Sequence, residues 1–309
     1  MNSTLRMFLT AVSLLLLAHS GQSATLTIPI DHVTIQAGLD AANPGDIVQV
    51  YQGTYQENLL NFGGKAITLR SMNGAEVTTI DAYSSGSVFV FETSEDENAV
   101  LDGFTLKHGS AANGGGIYCS DASPTIKNCI ITNNTATDGK GGGIYCESAS
   151  PKILDCTITN NTATKTGSTN ATATSMGGGI YCSQSDPTIT NCQITDNLVQ
   201  ATGGAGNNGS SASTSNGGNG TTGQAGSGYG GGIYCSDSSP AISNCRIENN
   251  TAKGIGGGGG NGGSYTYSYG NGGNGGAGNE GRSYGGAIYC STGSPTILDS
   301  ILSGNILHT

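Results

Sequence analysis

An all-β solenoid, a parallel β-helix, is the fold this sequence predicts, and three observations predict it. The 23-residue stretch Gly114 to Ala136, GGGIYCSDASPTIKNCIITNNTA, recurs without a gap from Gly141, Gly177, Gly230 and Gly285, under the pattern G-G-[GA]-I-Y-C-x4-P-x-I-x-[ND]-[CS]-x-[IL]-x-x-N. Five of the seven prolines (Pro124, Pro151, Pro187, Pro240, Pro295) stand at one repeat position, which fixes the alignment. Within the unit the apolar residues alternate over short runs and never take helical spacing. A sequence period of this length means a solenoid, propeller or array.

The unit divides into strands and corners. Ile117 and Cys119 flank an outward Tyr118; Ile126 follows the proline; Cys129 and Ile131 flank a third outward residue. The Gly pair, the Ser-Pro step and the Asn run supply the corners. Three strands in about 23 residues make one rung, which buries its apolar face only by stacking on its neighbours at ~4.8 Å. The predicted core is therefore a set of columns: Ile117, Ile144, Ile180, Ile233 and Ile288, beside those at the Ile126, Cys129 and Ile131 positions. Asn134, Asn161, Asn197, Asn250 and Asn305 recur without exception and read as a structural ladder of stacked amides at an inward-bending turn. A row of ligand amides is the functional alternative. Asn128, Asp155, Asn191, Asn244 and Asp299 read as a second corner ladder.

These motifs resemble the repeats of right-handed parallel β-helix proteins of the pectin-lyase-like class, and in particular the chlamydial-type polymorphic outer-membrane protein repeat. That family's GGAI stands here as Gly285-Gly286-Ala287-Ile288 and as GGGI in the four earlier copies; its F-x-x-N appears only as Ile131-x-x-Asn134 and its equivalents. The resemblance implies a single-stranded, right-handed parallel β-helix at the cell outer membrane or surface.

Residues 1–23 read as a secretory signal peptide: Arg6, then an apolar run from Met7 to Ala18, then small residues suited to cleavage. The run is too short for a membrane span and no other stretch suffices, so the mature chain is expected to be exported without a transmembrane segment. Losing Arg6 takes the net charge from −10 to −11. Residues 24–113 are expected to form an N-terminal cap and three to four irregular rungs, about eight or nine rungs in all. Thr34-Ile35-Gln36, Gly45-Asp46 and Gly53-Thr54-Tyr55 with Glu57 resemble the caps of bacterial β-helix proteins. Ile35, Leu39 and Ala42 give a short amphipathic capping helix stopped by Asn43-Pro44-Gly45. Strands are predicted over 47–51, 66–71, 88–91 and 100–106. The repeat domain spans 114–307.

Insertions at 137–140, 164–176, 200–229 and 253–284 all enter at one point of the rung, so they lie on one face. The last two hold 25 of the 53 glycines and read as flexible loops, either spacers or a binding face on which Tyr265, Tyr267, Tyr269 and Tyr284 would stack against a ligand. Only His308 and Thr309 follow the last copy, which leaves three readings: the natural chain is longer, the final rung is open to end-to-end stacking on another chain, or something else covers it.

The candidate chemistry is sparse. Nine cysteines occupy two repeat positions (Cys119, Cys146, Cys182, Cys235, Cys290 and Cys129, Cys156, Cys192, Cys245), with Ser300 where a tenth would stand. No CxxC pair or neighbouring His suggests a metal, which leaves within-rung disulfides or a buried thiol column. Tyr118, Tyr145, Tyr181, Tyr234 and Tyr289 form an outward ladder, self-stacked or offered to sugar rings as a ligand platform. Glu92, Glu95, Asp96 and Glu97 are the one dense acidic patch, a calcium site or a solvated loop. His108-Gly109 is an isolated echo of a hydrolase motif, and the basic residues, Lys107, Lys127 and Arg246 among them, are scattered. No paired acid and base is visible, no motif calls for a cofactor, and the acidic balance excludes nucleic acid as a partner. The expected function is a non-catalytic, secreted or outer-surface, adhesin-like or envelope-associated scaffold for carbohydrate or another cell-surface component. An exported polysaccharide-active lyase or hydrolase is the alternative, and a structural envelope fibre a third possibility.

Overall fold

A computed structural model describes residues 23–212, 216–264 and 274–308; residues 1–22 of the expected signal peptide and Tyr265, Tyr267 and Tyr269 lie outside them. The chain winds as a right-handed parallel β-helix. Its strands stack into four sheets in which every strand-to-strand pairing is parallel. In the first repeat Ile117–Ser120 lies in one sheet, Thr125–Lys127 in the next, Ile130–Thr132 in the third and Thr135–Lys140 in the fourth. The fourth sheet corrects the expectation of three strands per rung. Its sequence Thr-Ala-Thr carries only one small inward residue, too weak an apolar signal to mark a strand.

Four corners join the four sheets, and each places one residue in the left-handed region. The columns are Asp121, Ser148, Gln184 and Asp237; Asn128, Asp155, Asn191, Asn244 and Asp299; Asn133, Asn160, Asp196 and Asn249; and Gly114, Gly141, Gly177, Gly230 and Gly285, all at φ between 47° and 65°. Asn and Asp tolerate this conformation better than other residues with a Cβ. The Asn128 column is therefore an exposed corner selected by backbone conformation rather than an inward amide ladder. Two of its steps bond sideways, Asn128 Nδ2 to Asp102 Oδ1 (2.7 Å) and Asn191 Nδ2 to Asp155 Oδ1 (3.1 Å).

The interior is one continuous column. Ile117, Cys119, Ile126, Cys129 and Ile131 and their equivalents down to Ile247 are buried and in register. The early rungs are filled instead by Phe62, Phe89, Phe91 and Phe104, with Phe62 edge-on to Phe91 at 5.2 Å. Helix Ile35–Ala41 covers the N-terminal end and buries Ile35 and Leu39. The Thr34 hydroxyl caps it, and the Glu57 carboxylate accepts from the Ile35 and Gln36 N–H groups at 2.8 and 3.0 Å. That satisfies donors a helix start otherwise leaves bare.

The long insertions correct the expectation of flexible loops. Each leaves through strands Thr162–Thr166, Leu198–Thr202 and Thr251–Ile255 and returns through Ala173–Met176, Gly226–Tyr229 and Arg282–Tyr284, both sets extending the fourth sheet. Beyond these strands the glycine-rich segments lie side by side. Gly203, Gly206, Gly209 and Ala212 donate to the carbonyls of Ile255, Gly258, Asn261 and Ser264 at 2.7–3.1 Å; Gly257, Gly260 and Gly263 donate to Gln224, Thr221 and Gly218 at 2.7–3.0 Å. A bond at every third residue is the periodicity of a three-residue-per-turn extended helix. A Cβ on Gly206 would land on the Thr221 carbonyl oxygen, and one on Gly260 on that of Asn207. Glycine is thus required by the packing, and the described residues of the insertions form a slab bonded to the solenoid wall.

Candidate functional site

The Asn134 column is internal and complete in its hydrogen bonds. Asn134 Nδ2 donates to Asn161 Oδ1 (3.0 Å), and the same step repeats to Asn197, Asn250 and Asn305 at 2.9–3.1 Å. Each Oδ1 also accepts the preceding Asn backbone N–H, and each Nδ2 also reaches a core-strand carbonyl, as Asn161 does to Ile131 (2.8 Å). With Asn134, Asn161, Asn197 and Asn250 at 0–1% exposure, no amide is left to meet a ligand.

The tyrosine column points away from the first core but into a second one. Tyr118, Tyr145, Tyr181 and Tyr234 stack at 5.0–5.2 Å with interplanar angles of 2–10°, and Tyr289 follows at 5.8 Å. Met176 and Tyr229, on the returning strands of the insertions, pack over them. Tyr145, Tyr181 and Tyr234 are only 3–8% exposed, so the expected ligand platform is covered along its centre. The sequence showed an outward residue; it did not show that the insertions fold back over it. The phenol of Tyr145 donates to Glu147 Oε2 at 2.8 Å, and burial, that bond and the carboxylate's charge all push its pKa up.

All nine cysteines are free, and eight are buried. At the corner position the thiol donates to the carbonyl two residues back, as Cys129 does to Lys127 and Cys245 to Ser243 (both 3.2 Å). The Ser300 hydroxyl makes the same bond to Leu298 (2.8 Å). The column therefore selects a small donor, which is why serine replaces cysteine there. In the other column the bond with the Cys119 thiol, aided by burial, holds Cys146 well above the ordinary thiol range.

The acidic patch is dispersed. Glu95 is buried and accepts from the Gly64 and Thr93 N–H groups at 3.0 Å, Asp96 accepts from the Asn98 N–H, and Glu97 pairs with Lys152. Among the described residues no group of three or more His, Cys, Asp or Glu is placed to hold a metal.

One constellation was not legible in the sequence. Asp81, whose side chain is 9% exposed, sits one rung from Lys107 and His108. His108 Nδ1 lies 3.1 Å from both carboxylate oxygens, and Lys107 Nζ 3.6 Å from one of them. Burial works against the charge on Asp81, but the Tyr83 N–H, His108 and Lys107 outweigh it and hold its pKa below the usual value. Tyr83, Ser84 and His108, all with left-handed backbone, line a shallow cleft of about 360 Å³ with Asp81. A carboxylate on Nδ1 fixes the imidazole's orientation and leaves Nε2 for proton transfer. The pairing joins residues 27 apart in an irregular part of the chain, so no repeat spacing announced it.

Among the described residues no helix is long and apolar enough to cross a membrane. A search of curated proteins finds no match to the chain. The sequence profile of the right-handed β-helix region matches residues 66–306, and with parallel rungs throughout that span the chain belongs to the right-handed β-helix family.

Proposed function

We propose that the protein is a non-catalytic, exported scaffold, adhesin-like or envelope-associated, and that the glycine slab is its binding face. The slab itself carries the reading: two long insertions that resemble loose spacers are instead hydrogen-bonded into a fixed surface on one wall. Exposed amides and hydroxyls (Asn207, Asn208, Thr222, Asn261, Asn274) cover it with few charges among them, which suits a neutral, hydroxyl-rich carbohydrate. Export follows from the signal-like residues 1–23, and an outer-membrane or surface address from the resemblance of the repeat.

The Asp81–His108 pair favours a second reading, an exported polysaccharide-active enzyme, because it couples an oriented imidazole to a cleft. A glycan array with product analysis on the same polysaccharides separates the two. Binding without turnover that is lost in Gly206→Val/Gly260→Val and kept in His108→Ala supports the scaffold. Shortened or unsaturated products that disappear in His108→Ala contradict it.

A further inference from the structure

The second core contains an unbroken file of phenols whose order and end groups suggest more than packing. From Tyr284, 37% exposed, ring centroids run 6.0 Å to Tyr289, 5.8 Å to Tyr234, 5.2 Å to Tyr181, 5.0 Å to Tyr145 and 5.1 Å to Tyr118. Tyr229 joins at the Tyr284 end, 4.8 Å from that ring and 5.0 Å from Tyr289. Rings this close and mostly parallel exchange an electron far faster than they react with solutes excluded by burial. A phenol that loses an electron becomes a strong acid, so the electron vacancy settles where a base can take the proton.

Among the described residues one phenol of the file is hydrogen-bonded to a carboxylate: Tyr145, through Glu147 at 2.8 Å. The position equivalent to Glu147 is Ser120, Ser183 and Ser236 in the paired strands, and Ser291 in the last copy. Tyr234 meets only the Ser291 hydroxyl, at 3.3 Å, which is a poor proton acceptor. The one departure from serine in the repeat therefore falls where it gives a buried phenol its base.

We propose that the tyrosine file is a conduit for one-electron oxidation, taking oxidising equivalents at Tyr284 and holding them at the Tyr145–Glu147 pair. A one-electron oxidant, such as an oxyl radical in solution, is reduced by one electron from Tyr284. Each ring in turn fills the vacancy of its outer neighbour, and the phenol O–H of Tyr145 breaks as its proton passes to Glu147 Oε2. The products are the reduced oxidant, a neutral Tyr145 phenoxyl radical and a protonated Glu147. Tyr145 lies face to face with Tyr118 and Tyr181, at 10° and 2°, which keeps their ring edges from the approach that carbon–carbon coupling needs, so its radical persists rather than cross-linking. Return of one electron from an external thiol or phenol, with the proton going back from Glu147, restores the pair.

The test uses the full chain with photogenerated tris(bipyridine)ruthenium(III) as oxidant, read by time-resolved absorption and freeze-quench electron paramagnetic resonance. Tyr145→Phe keeps the stacked ring and lacks the phenol. Glu147→Ser restores the residue of the other copies, and Glu147→Gln keeps the shape without the base. Near- and far-ultraviolet circular dichroism checks each fold. The long-lived tyrosyl signal is expected in the parent chain. It should vanish in Tyr145→Phe and decay at least about tenfold faster in both Glu147 variants, as losing a charge-assisted bond to the proton acceptor implies. Equal lifetimes in the parent and the folded Glu147 variants overturn the assignment. So does dityrosine as the main product, or oxidation confined to surface tyrosines such as Tyr83.

Discussion

At the residue scale, stability concentrates in side chains that satisfy the backbone from inside. Replacing Asn161 with leucine removes the acceptor of the Asn134 N–H and Nδ2 and the donor to Ile131 and Asn197. At about 1–3 kcal/mol for each buried group left unpaired, a loss of about 3–5 kcal/mol is expected, measured as a fall in the urea midpoint. Asp81 makes a pH-dependent contribution. Its folded pKa is depressed, so its stabilisation is complete above the unfolded value near 3.9 and fades as pH drops through the folded one. The gap in urea stability between the parent chain and Asp81→Asn should therefore be present at pH 7 and close toward pH 3. The thiols should be inert while folded. Eight of them are buried out of a reagent's reach, and burial pushes the ninth, Cys290, up to about 12, so a disulfide reagent at pH 8 should modify Cys290 slowly and the other eight only after unfolding. Asn134 was legible because it never varies across five copies. The choice between disulfide and thiol was not legible, since spacing does not set the direction of a Cβ.

At the scale of elements, three strands of each rung could be read and the fourth could not. Ile117/Cys119, Ile126 and Ile131 alternate clearly, whereas the fourth strand buries mostly small residues, Ala136 and its equivalents Ala163, Val199 and Ala252, with Ala201 beside them. The glycine segments failed for a different reason. Composition says that such a segment cannot build a core of side chains. It does not say that glycines at every third position can pack backbone against backbone when a rigid wall aligns them. Gly260→Val should therefore dismantle the slab and leave the solenoid standing. The expected result is new protease cleavage within 200–229 and 253–284, with little change in the far-ultraviolet spectrum of the rungs. Loss of all β structure on that substitution would mean that the slab and solenoid fold as one unit.

At the scale of the whole molecule, the architecture is two parallel cores sharing a wall. The first is the column of Ile, Cys and Asn; the second is the file of tyrosines closed by the returning strands of the insertions. Moving the tyrosines indoors shifts the proposed binding face from the ladder to the slab, and it is the slab's order that the functional reading depends on. The columns of the core and the side from which the insertions leave could be read from the repeat, because stacking forces equivalent residues into register. The Asp81–His108 cleft and the cover over the tyrosines could not, because both depend on contacts between parts of the chain with no shared period.

Amide hydrogen exchange of the slab glycines, resolved by nuclear magnetic resonance, tests that order most directly. Gly203, Gly206 and Gly209, and Gly257, Gly260 and Gly263, each donate to a carbonyl of a neighbouring segment. They should exchange orders of magnitude more slowly than unstructured glycine, and Gly260→Val should abolish that protection. Exchange at the unstructured rate in the native chain would show that the insertions are loose, and would remove the basis for placing the binding face on them.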